Sequence, residues 1–383
     1  MGSCSCVIHY HTEKQGNSKQ ESVIGNSKGY DFNSINSLKT NEKEKENEIK
    51  NNLNEKIPEL GKIIHLKEYE EIISENIIAK IKNNKLNFEN YLPQNLVTYY
   101  SFPIQFKNNN IYYGNWNEKN EMEGYGIYYI YDQKVVTEGI WIKGNIIFGR
   151  IFFPNGNIYE GEMKNSVPEG KGKILFSNGE SYKGDFKMGE LTGKGVFIFN
   201  DKTIYKGGIK NGLFNDEGKI KWNNGTEYHG NFLDSTLCGK GKIFNIQGEE
   251  YEGYFDKNEY HGEGIYSFNN GDQYEGNFEY GIKKGKGIYK RNDKIIFEGN
   301  WNNDLPNGNG FIYYRDNKLK GFWRNGNLIG TAEVEEGIIE NFNNIDLNIR
   351  PYKANINPNS LPHIAINDSN VSQYIPNNEL KFV

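Results

Sequence analysis

The sequence predicts a mainly β protein: an elongated, single-layer antiparallel sheet of stacked β-hairpin repeats, with an N-terminal helix and irregular termini. The first observation behind this fold class is a set of ten glycines spaced 22 to 25 residues apart, with six intervals of 23. The second is a Gly-x-Gly motif that follows most of these glycines after nine residues. A fixed period of this length is typical of repeat proteins, which present long binding surfaces more often than catalytic pockets. The ten glycines are Gly114, Gly139, Gly161, Gly184, Gly207, Gly230, Gly253, Gly276, Gly299 and Gly321.

The residues around each glycine alternate as they do in a β-strand. Side chains two positions apart share one face of a strand, so Tyr159, Gly161 and Met163 point the same way. Because a glycine leaves a gap on this apolar face, we expect neighbouring aromatic rings to lie over the glycines. The residues predicted to build the face are Tyr112, Trp116, Tyr159, Tyr182, Phe186, Tyr205, Tyr228, Phe232, Tyr251, Phe255, Tyr274, Phe278, Trp301 and Trp323.

Asn-Gly dipeptides separate several of these units. They occur at Asn155-Gly156, Asn178-Gly179, Asn224-Gly225 and Asn270-Gly271. Asn-Gly between two strands favours a type I′ turn, in which both central residues need a positive φ. The sequence therefore predicts two-stranded hairpins that are linked to one another by type I′ turns.

These residues resemble the MORN repeat, in which Tyr-x-Gly-x-(Trp/Phe) is followed by Gly-x-Gly at a 23-residue period. The resemblance covers about residues 112–332 in ten tandem copies. The second copy begins Thr137-Glu138-Gly139-Ile140-Trp141, the fifth has Asp216 where the first glycine of Gly-x-Gly is expected, and the tenth begins at Leu319 and keeps only Gly330. Atypical copies near the ends are expected as caps, and Asp216 predicts an irregular sheet at that point.

The first six residues, Met1-Gly2-Ser3-Cys4-Ser5-Cys6, form a candidate lipidation motif. Gly2 is the candidate for N-myristoylation, and Cys4 and Cys6 are candidates for palmitoylation. One myristoyl chain holds a protein on a membrane only marginally, so a second acyl chain is needed for stable anchoring. A zinc site that adds His9 and His11 is the competing interpretation, but Cys-x-Cys and His-x-His are tighter than the usual ligand spacing. We therefore expect acyl chains here and no metal or cofactor.

The chain divides into four predicted segments. Residues 1–55 carry the acylation motif and a polar, disordered tether, and residues 56–96 form an amphipathic helical segment. Residues 97–340 form the ribbon of repeats, and residues 341–383 form an extended C-terminal tail.

The helical segment is predicted from apolar residues at intervals of three or four. These residues are Leu66, Tyr69, Ile73, Ile77 and Ile81. Their apolar stripe is expected to cover the exposed edge of the first strand, since a bare edge invites aggregation. Docking of a partner is the alternative, and residues 96–106 predict a further strand before the first hairpin.

Composition excludes several classes of function. With a net charge of −5, the chain lacks the excess of basic residues that is typical of nucleic-acid-binding proteins. Its three cysteines are too few for a disulfide-stabilised fold. No apolar run is long enough for a transmembrane helix or a secretory signal. The low number of cysteines favours an intracellular setting, and we expect a cytoplasmic protein. We find no catalytic motif, and the Gly-x-Gly pairs lack the following helix that phosphate-binding loops require.

One basic cluster is a candidate surface for anionic lipid or for a partner. It comprises Lys283, Lys284, Lys286, Lys290 and Arg291. A solvated hairpin loop is the alternative interpretation, because acidic residues lie nearby in the sequence.

The function predicted from the residues and the resemblance is that of a non-enzymatic scaffold. Similar MORN proteins include membrane-junction proteins, cortical cytoskeleton scaffolds in protists and components of ciliary radial spokes. The resemblance implies protein partners of unknown identity along the ribbon, with the N-terminus at the cytoplasmic face of a membrane and a homodimer as a further option. The alternatives are a ciliary or cortical component without a membrane anchor, and a module that binds anionic phospholipid.

Overall fold

A computed structural model describes residues 61–64, 66–73, 75–83, 91–92, 99–100, 102–314, 317–334 and 337–338. The predictions for Gly2, Cys4 and Cys6, for the tether and for residues 341–383 lie outside these residues. The chain forms two compact units, of which the first runs to Glu190 and the second begins at Leu191.

The first unit combines two short helices with an antiparallel sheet. β1 pairs with β3, β2 and β3 pair with β4, and from β4 to β10 each strand pairs with the next. The helices are α1 (Leu66–Ile72) and α2 (Glu75–Asn83), and the strands are β1 (Gly61–Ile63), β2 (Tyr99–Tyr100), β3 (Ile104–Phe106), β4 (Ile111–Trp116), β5 (Met122–Ile130), β6 (Val135–Ile142), β7 (Asn145–Phe152), β8 (Ile158–Lys164), β9 (Val167–Leu175) and β10 (Ser181–Lys187).

The second unit is an antiparallel sheet in which each strand from β11 to β24 pairs with the next. The strands are β11 (Glu190–Ile198), β12 (Ile204–Lys210), β13 (Leu213–Lys221), β14 (Glu227–Leu233), β15 (Thr236–Phe244), β16 (Glu250–Asp256), β17 (Glu259–Ser267), β18 (Gln273–Glu279), β19 (Ile282–Arg291), β20 (Lys294–Asn302), β21 (Leu305–Tyr314), β22 (Asn317–Arg324), β23 (Asn327–Val334) and β24 (Gly337–Ile338). The predicted fold class, a mainly β protein built from stacked antiparallel hairpins, is confirmed in both units.

The turns between repeats differ from the prediction. In the loop of Asn269, Asn270 and Gly271, the amide of Phe268 donates to the carbonyl of Asp272 at 2.8 Å, and only Gly271 has a positive φ, of 86°. The type I′ prediction is therefore wrong, and the turn is a three-residue loop that ends in a left-handed glycine. The side chain of Asn270 explains the difference, because it accepts a hydrogen bond from the amide of Asp272 at 3.0 Å and so holds an Asx turn.

The type I′ geometry occurs within the repeats instead. Lys257 and Asn258 join β16 to β17 with φ values of 47° and 67°. The pair at Asn165 and Ser166 joins β8 to β9 in the same way, with φ values of 52° and 62°. A two-residue loop with both φ values positive matches the twist of the flanking strands.

Buried tyrosines hold the repeats together. The ring of Tyr251 lies over Gly253 and Gly264, and a Cβ added at Gly264 would approach its Cε2 atom to 2.5 Å. Its hydroxyl donates to the carbonyl of Tyr254 at 2.8 Å, and Phe255 meets the ring edge-on at 5.2 Å. Burial raises the pKa of Tyr251 above its ordinary value, so the phenol stays a donor. The same hydroxyl bond to the carbonyl three residues on recurs from Tyr112, Tyr159, Tyr182, Tyr205, Tyr228 and Tyr274.

The structure places all of the residues predicted for the repeat face in this buried layer. This is the arrangement that the alternation in the sequence predicts.

The expected irregularity at Asp216 is wrong. Asp216 has a φ of 61°, in the left-handed region that glycine holds at the same place in other repeats, such as Gly262 with 63°. The register shift at Gly207 and Gly208 matches the one at Gly253 in a regular repeat. Asp is one of the few residues that tolerate this conformation, and Gly208 leaves space for it, since an added Cβ would meet that of Asp216 at 3.3 Å.

The N-terminal helical segment forms α1 and α2 instead of a single helix. Most of its apolar side chains cover a face of the sheet and not the edge of the first strand, which corrects the predicted cap, while Leu66 is 40% exposed. Tyr69 packs on Tyr113 with 5.4 Å between ring centroids, and Ile73 is 1% exposed. The cluster that they join includes Ile111, Ile127, Tyr129, Val136 and Phe152, from four consecutive strands.

Candidate binding groove

A groove of about 1130 Å³ runs across the strands of the second unit, on the face opposite the buried tyrosines. Glycine backbone forms its floor at Gly253, Gly264, Gly276 and Gly287, among others. The residues on either side of each glycine point into the groove because side chains alternate along a strand. The repeat that buries tyrosine on one face therefore aligns its variable positions on the other.

One wall of the groove alternates acidic and apolar residues. This acidic–apolar row consists of Glu252, Ile265, Glu275, Ile288, Glu298 and Phe311, one residue from each of the strands β16 to β21. Each member lies opposite the next in the strand register. Lys242 precedes the row and Lys320 follows it.

The other wall is more polar. This polar row consists of Lys240, Tyr254, Glu263, Asn277, Lys286, Asn300 and Asn309. Several amides of the row are engaged with backbone, as when Asn300 donates to the carbonyl of Asn309 at 3.0 Å.

Large apolar side chains are exposed along this face. Tyr254 is 42% exposed, Ile265 is 38% exposed and Phe322 is 44% exposed. Exposed apolar side chains that share one face with polar residues between them are typical of interaction sites.

The carboxylates of the acidic–apolar row form exposed ion pairs. Glu275 pairs with Lys290 at 2.8 Å, and Glu252 pairs with Lys242 at 3.2 Å. Their side chains are 47% and 65% exposed, and such pairs contribute between zero and about 1 kcal/mol. These carboxylates can therefore exchange their partner for another cation at little cost.

The predicted basic cluster does not form one surface. Lys283 is only 5% exposed, and its ammonium lies 3.8 Å from Asp304 and 5.0 Å from the ring centre of Phe268. Burial lowers the pKa of Lys283, and Asp304 opposes that shift. Arg291 is partly buried and lies 3.5 Å from Asp272.

The other three basic residues of the cluster lie on the groove face. Lys286 lines the groove, while Lys284 pairs with Glu279 and Lys290 pairs with Glu275. The single basic surface inferred from the sequence is thus divided between two faces of the sheet.

The equivalent rows are covered on β4–β7 of the first unit, whereas Glu160, Lys173 and Lys183 on β8–β10 are exposed. Ile127 follows Gly126 as Ile265 follows Gly264, but Ile127 is 3% exposed and belongs to the cluster beneath α1 and α2. The glycine-flanking residues there are Tyr113, Ile127, Glu138 and Arg150 on one side and Tyr125, Ile140 and Phe148 on the other.

A buried ion pair lies in this covered region. Arg150 donates from Nε and Nη2 to one carboxylate oxygen of Glu138, at 2.9 and 2.6 Å. The hydroxyl of Tyr125 donates to the other oxygen at 2.8 Å. Burial raises the pKa of Glu138, and Arg150 and Tyr125 oppose that rise.

The described residues were compared with the requirements of a metal site and of a membrane-spanning helix. They contain no group of three or more His, Cys, Asp and Glu side chains arranged to hold a metal ion. Across the same ranges, none of the helices has the length and apolar character needed to span a membrane.

Comparison with protein families supports the repeat resemblance seen in the sequence. The family model described as MORN repeat matches residues 112–135, 159–181, 182–204, 205–227, 251–273, 274–294 and 297–318. The matched segments include the second-unit strands that line most of the groove. No curated protein matches the chain.

Solved structures show distant likeness. The TCP10 domain of CPAP from Danio rerio is 13% identical, with a TM-score of 0.30, over 54% of this chain and 96% of that one. The TCP domain of SAS-4 from Drosophila melanogaster, solved with a proline-rich motif of Ana2, is 13% identical, with a TM-score of 0.27, over 40% of this chain and 85% of that one.

Proposed function

Because the chain belongs to the MORN repeat family, we propose that it is a non-catalytic scaffold that binds other proteins along its repeats. The observation that carries this proposal is the groove of the second unit, with its exposed apolar side chains. Tyr254 and Ile265 line the groove and present apolar area that is favourable to remove from water, and Phe322 adds to this area on the same face beyond the groove. Binding of another protein would remove these apolar side chains from water.

The construction of the groove supports the same proposal. Its floor is backbone that the buried tyrosine layer fixes from behind, through bonds such as that from Tyr274 to the carbonyl of Asn277 at 3.0 Å. A pre-organised surface loses less conformational entropy when a partner binds. The groove therefore suits a binding platform.

In-cell cross-linking tests the scaffold proposal. The full chain, of 44.1 kDa, is expected to migrate in complexes well above its own mass after gentle lysis, with and without cross-linker. Detection of partners other than a second copy of the chain, identified by mass spectrometry, supports a scaffold. Migration at the mass of the single chain under both conditions contradicts it.

We also propose that acyl chains at Gly2, Cys4 and Cys6 hold the scaffold at the cytoplasmic face of a membrane. The support is the order of these residues in the sequence, because a myristoyl chain and a nearby palmitoyl chain together give stable anchoring. Metabolic labelling with an alkyne myristate and membrane fractionation provide the test.

In that test, Gly2→Ala is expected to abolish labelling and release the protein from the membrane fraction. Cys4→Ser with Cys6→Ser is expected to keep the myristate and weaken retention. A Gly2→Ala variant that stays in the membrane fraction contradicts acyl anchoring and favours recruitment through the repeats.

Direct binding of anionic phospholipid by the repeats is the less favoured function. Lys283 is buried and Arg291 is partly buried beside Asp272, on the face opposite Lys284, Lys286 and Lys290. Few of the predicted cations are therefore available together for a headgroup.

A further inference from the structure

We propose that the groove of the second unit binds an amphipathic α-helix of a partner protein. The helix lies across the strands and presents an apolar side chain at every seventh position, with Lys or Arg midway between them. This inference rests on the proposed scaffold function, and it specifies the kind of partner segment that the scaffold holds.

The first unit shows that a helix fits over the glycine-flanking residues of this repeat. There, Tyr69 of α1 packs on Tyr113, whose position directly precedes a repeat glycine. Ile81 of α2 belongs to the same buried cluster, with 7% of its surface exposed. The chain thus already uses amphipathic helices to cover the face that is left open in the second unit.

The spacing of the acidic–apolar row matches a helix. Adjacent strands lie about 4.8 Å apart, so Ile265, Ile288 and Phe311, on alternate strands, recur at about 9.6 Å. Seven residues of an α-helix rise about 10.5 Å. The mismatch is about 1 Å for each step and about 2 Å over the three apolar positions, which side chains can absorb.

The carboxylates distinguish a helix from an extended ligand. Glu275 and Glu298 lie midway between the apolar positions, about 4.8 Å from each. A helix places residues i+3 and i+4 on the same face at about this distance. A polyproline helix returns to the same face only once in about 9.3 Å, so it presents nothing to the carboxylates.

The charged residues of the groove indicate which charged residues the partner helix carries. A Lys or Arg of the partner helix at an intermediate position would pair with Glu252, Glu275 or Glu298, which now pair with lysines of this chain. The bound helix would also partly exclude water from these ion pairs. Lys242 and Lys320 border the row, so acidic residues are favoured at the ends of the partner helix. The row covers six strands, or about 24 Å, which corresponds to about 16 helical residues.

A synthetic peptide tests this proposal with the full chain. The probe has leucine at every seventh position, lysine three and four residues after each leucine, and alanine and glutamine elsewhere. A peptide of the same composition in scrambled order and one with glutamate in place of lysine are the controls. Calorimetric titration is expected to give a micromolar Kd for the probe and binding at least about tenfold weaker for both controls.

Charge reversal in the protein provides the matched variants. Glu275→Lys with Glu298→Lys is expected to weaken the probe by about tenfold or more and to improve binding of the glutamate peptide. Glu279→Lys is the control. The side chains of Glu279 and Glu298 are 42% and 41% exposed, and each is paired with a lysine, but Glu279 lies outside the groove. Equal thermal unfolding of the variants shows that the fold is intact.

Three results overturn the proposal: equal affinity for the probe and the scrambled peptide, no effect of the groove variants, or tighter binding of a proline-rich peptide that cannot form a helix. None of these results bears on the cross-linking test, so the scaffold proposal stands or fails separately.

Discussion

On β4–β7 of the first unit, the residues that flank the repeat glycines are buried, as Ile127 is beneath two helices and Glu138 is beside it. In the second unit, the equivalent residues include Ile265 and Glu275, which line a groove. The backbone pattern is the same in both units, since the flanking residues face each other in the same strand register. The tyrosine layer behind them is the same as well. The two regions differ in the side chains at the glycine-flanking positions and in whether helices of the chain pack over them. One face of this repeat is therefore a fixed core, and the other can serve as core or as binding surface.

The largest difference between the units is expected for their ion pairs. Arg150→Met leaves the carboxylate of Glu138 buried without its cation, which should cost about 3 to 5 kcal/mol. Lys290→Met removes the partner of the exposed Glu275 and should cost no more than about 1 kcal/mol. Hydrogen exchange of β5–β7 and of β18–β19 measures the two units separately within one chain.

The Arg150→Met variant should also depend on pH more strongly than the unmodified chain, in which the pKa of Glu138 is already raised. Without Arg150, burial holds the folded pKa of Glu138 above its unfolded value. Protonation then favours the folded state, so the destabilisation should be smaller at pH 5 than at pH 7. A loss of equal size at both values would contradict a buried, uncompensated carboxylate.

The matched isoleucines give the next largest contrast. Ile127→Ala removes a side chain that is 3% exposed and should destabilise the first unit by about 2 to 4 kcal/mol. Ile265→Ala, at 38% exposed, should cost less than about 1 kcal/mol. Hydrogen exchange in increasing denaturant measures the local stability of each unit. Equal losses of stability in the two variants would contradict the comparison of the units.

The tyrosine layer should respond alike in both units. A Cβ at Gly172 would lie 2.6 Å from the ring of Tyr159, and one at Gly264 would lie 2.5 Å from that of Tyr251. Gly172→Ala and Gly264→Ala should each therefore cost about 1 to 3 kcal/mol through overpacking.

Gly271→Asn is the control for these two variants. Nothing lies within 4 Å of the added Cβ, and Asn tolerates the positive φ. Unequal losses in the two units would show that the buried layer is not shared.

The smallest effect is expected at Asp216. Asp216→Gly removes the mild strain of a left-handed non-glycine residue and should stabilise the second unit by no more than about 1 kcal/mol. Asp216→Ala should destabilise it by about 1 kcal/mol, since alanine lacks the local hydrogen bonding of aspartate. Thermal unfolding that ranks alanine above glycine would contradict this assignment of φ.

The aromatic layer follows from the sequence because it depends only on a local alternation of period two. Tyr251, Gly253 and Phe255 specify both the face and its filling without reference to distant residues. The same local pattern places Glu252 and Tyr254 on the opposite face, so the rows of the groove are also visible in the sequence.

Other features depend on information that no local pattern holds. The turn type at Asn270 was decided by a side-chain bond to the backbone of Asp272, which competes with the type I′ geometry. Lys283 lies in a run of lysines that is typical of a solvated loop, yet its strand position places it against Phe268. The cover formed by α1 and α2 depends on a contact between distant segments, of which Tyr69 and Tyr113 are one example.

Carboxyl footprinting of the full chain tests the contrast between the units most directly. A water-soluble carbodiimide with a small amine should modify Glu275 and Glu298 readily and Glu138 at least about tenfold more slowly, as expected for side chains that are 47%, 41% and 4% exposed. Addition of the helical probe peptide should slow modification of Glu275 and Glu298 and leave Glu279 unchanged. Modification of Glu275 and Glu298 as slow as that of Glu138 in the free chain would contradict an open groove in the second unit.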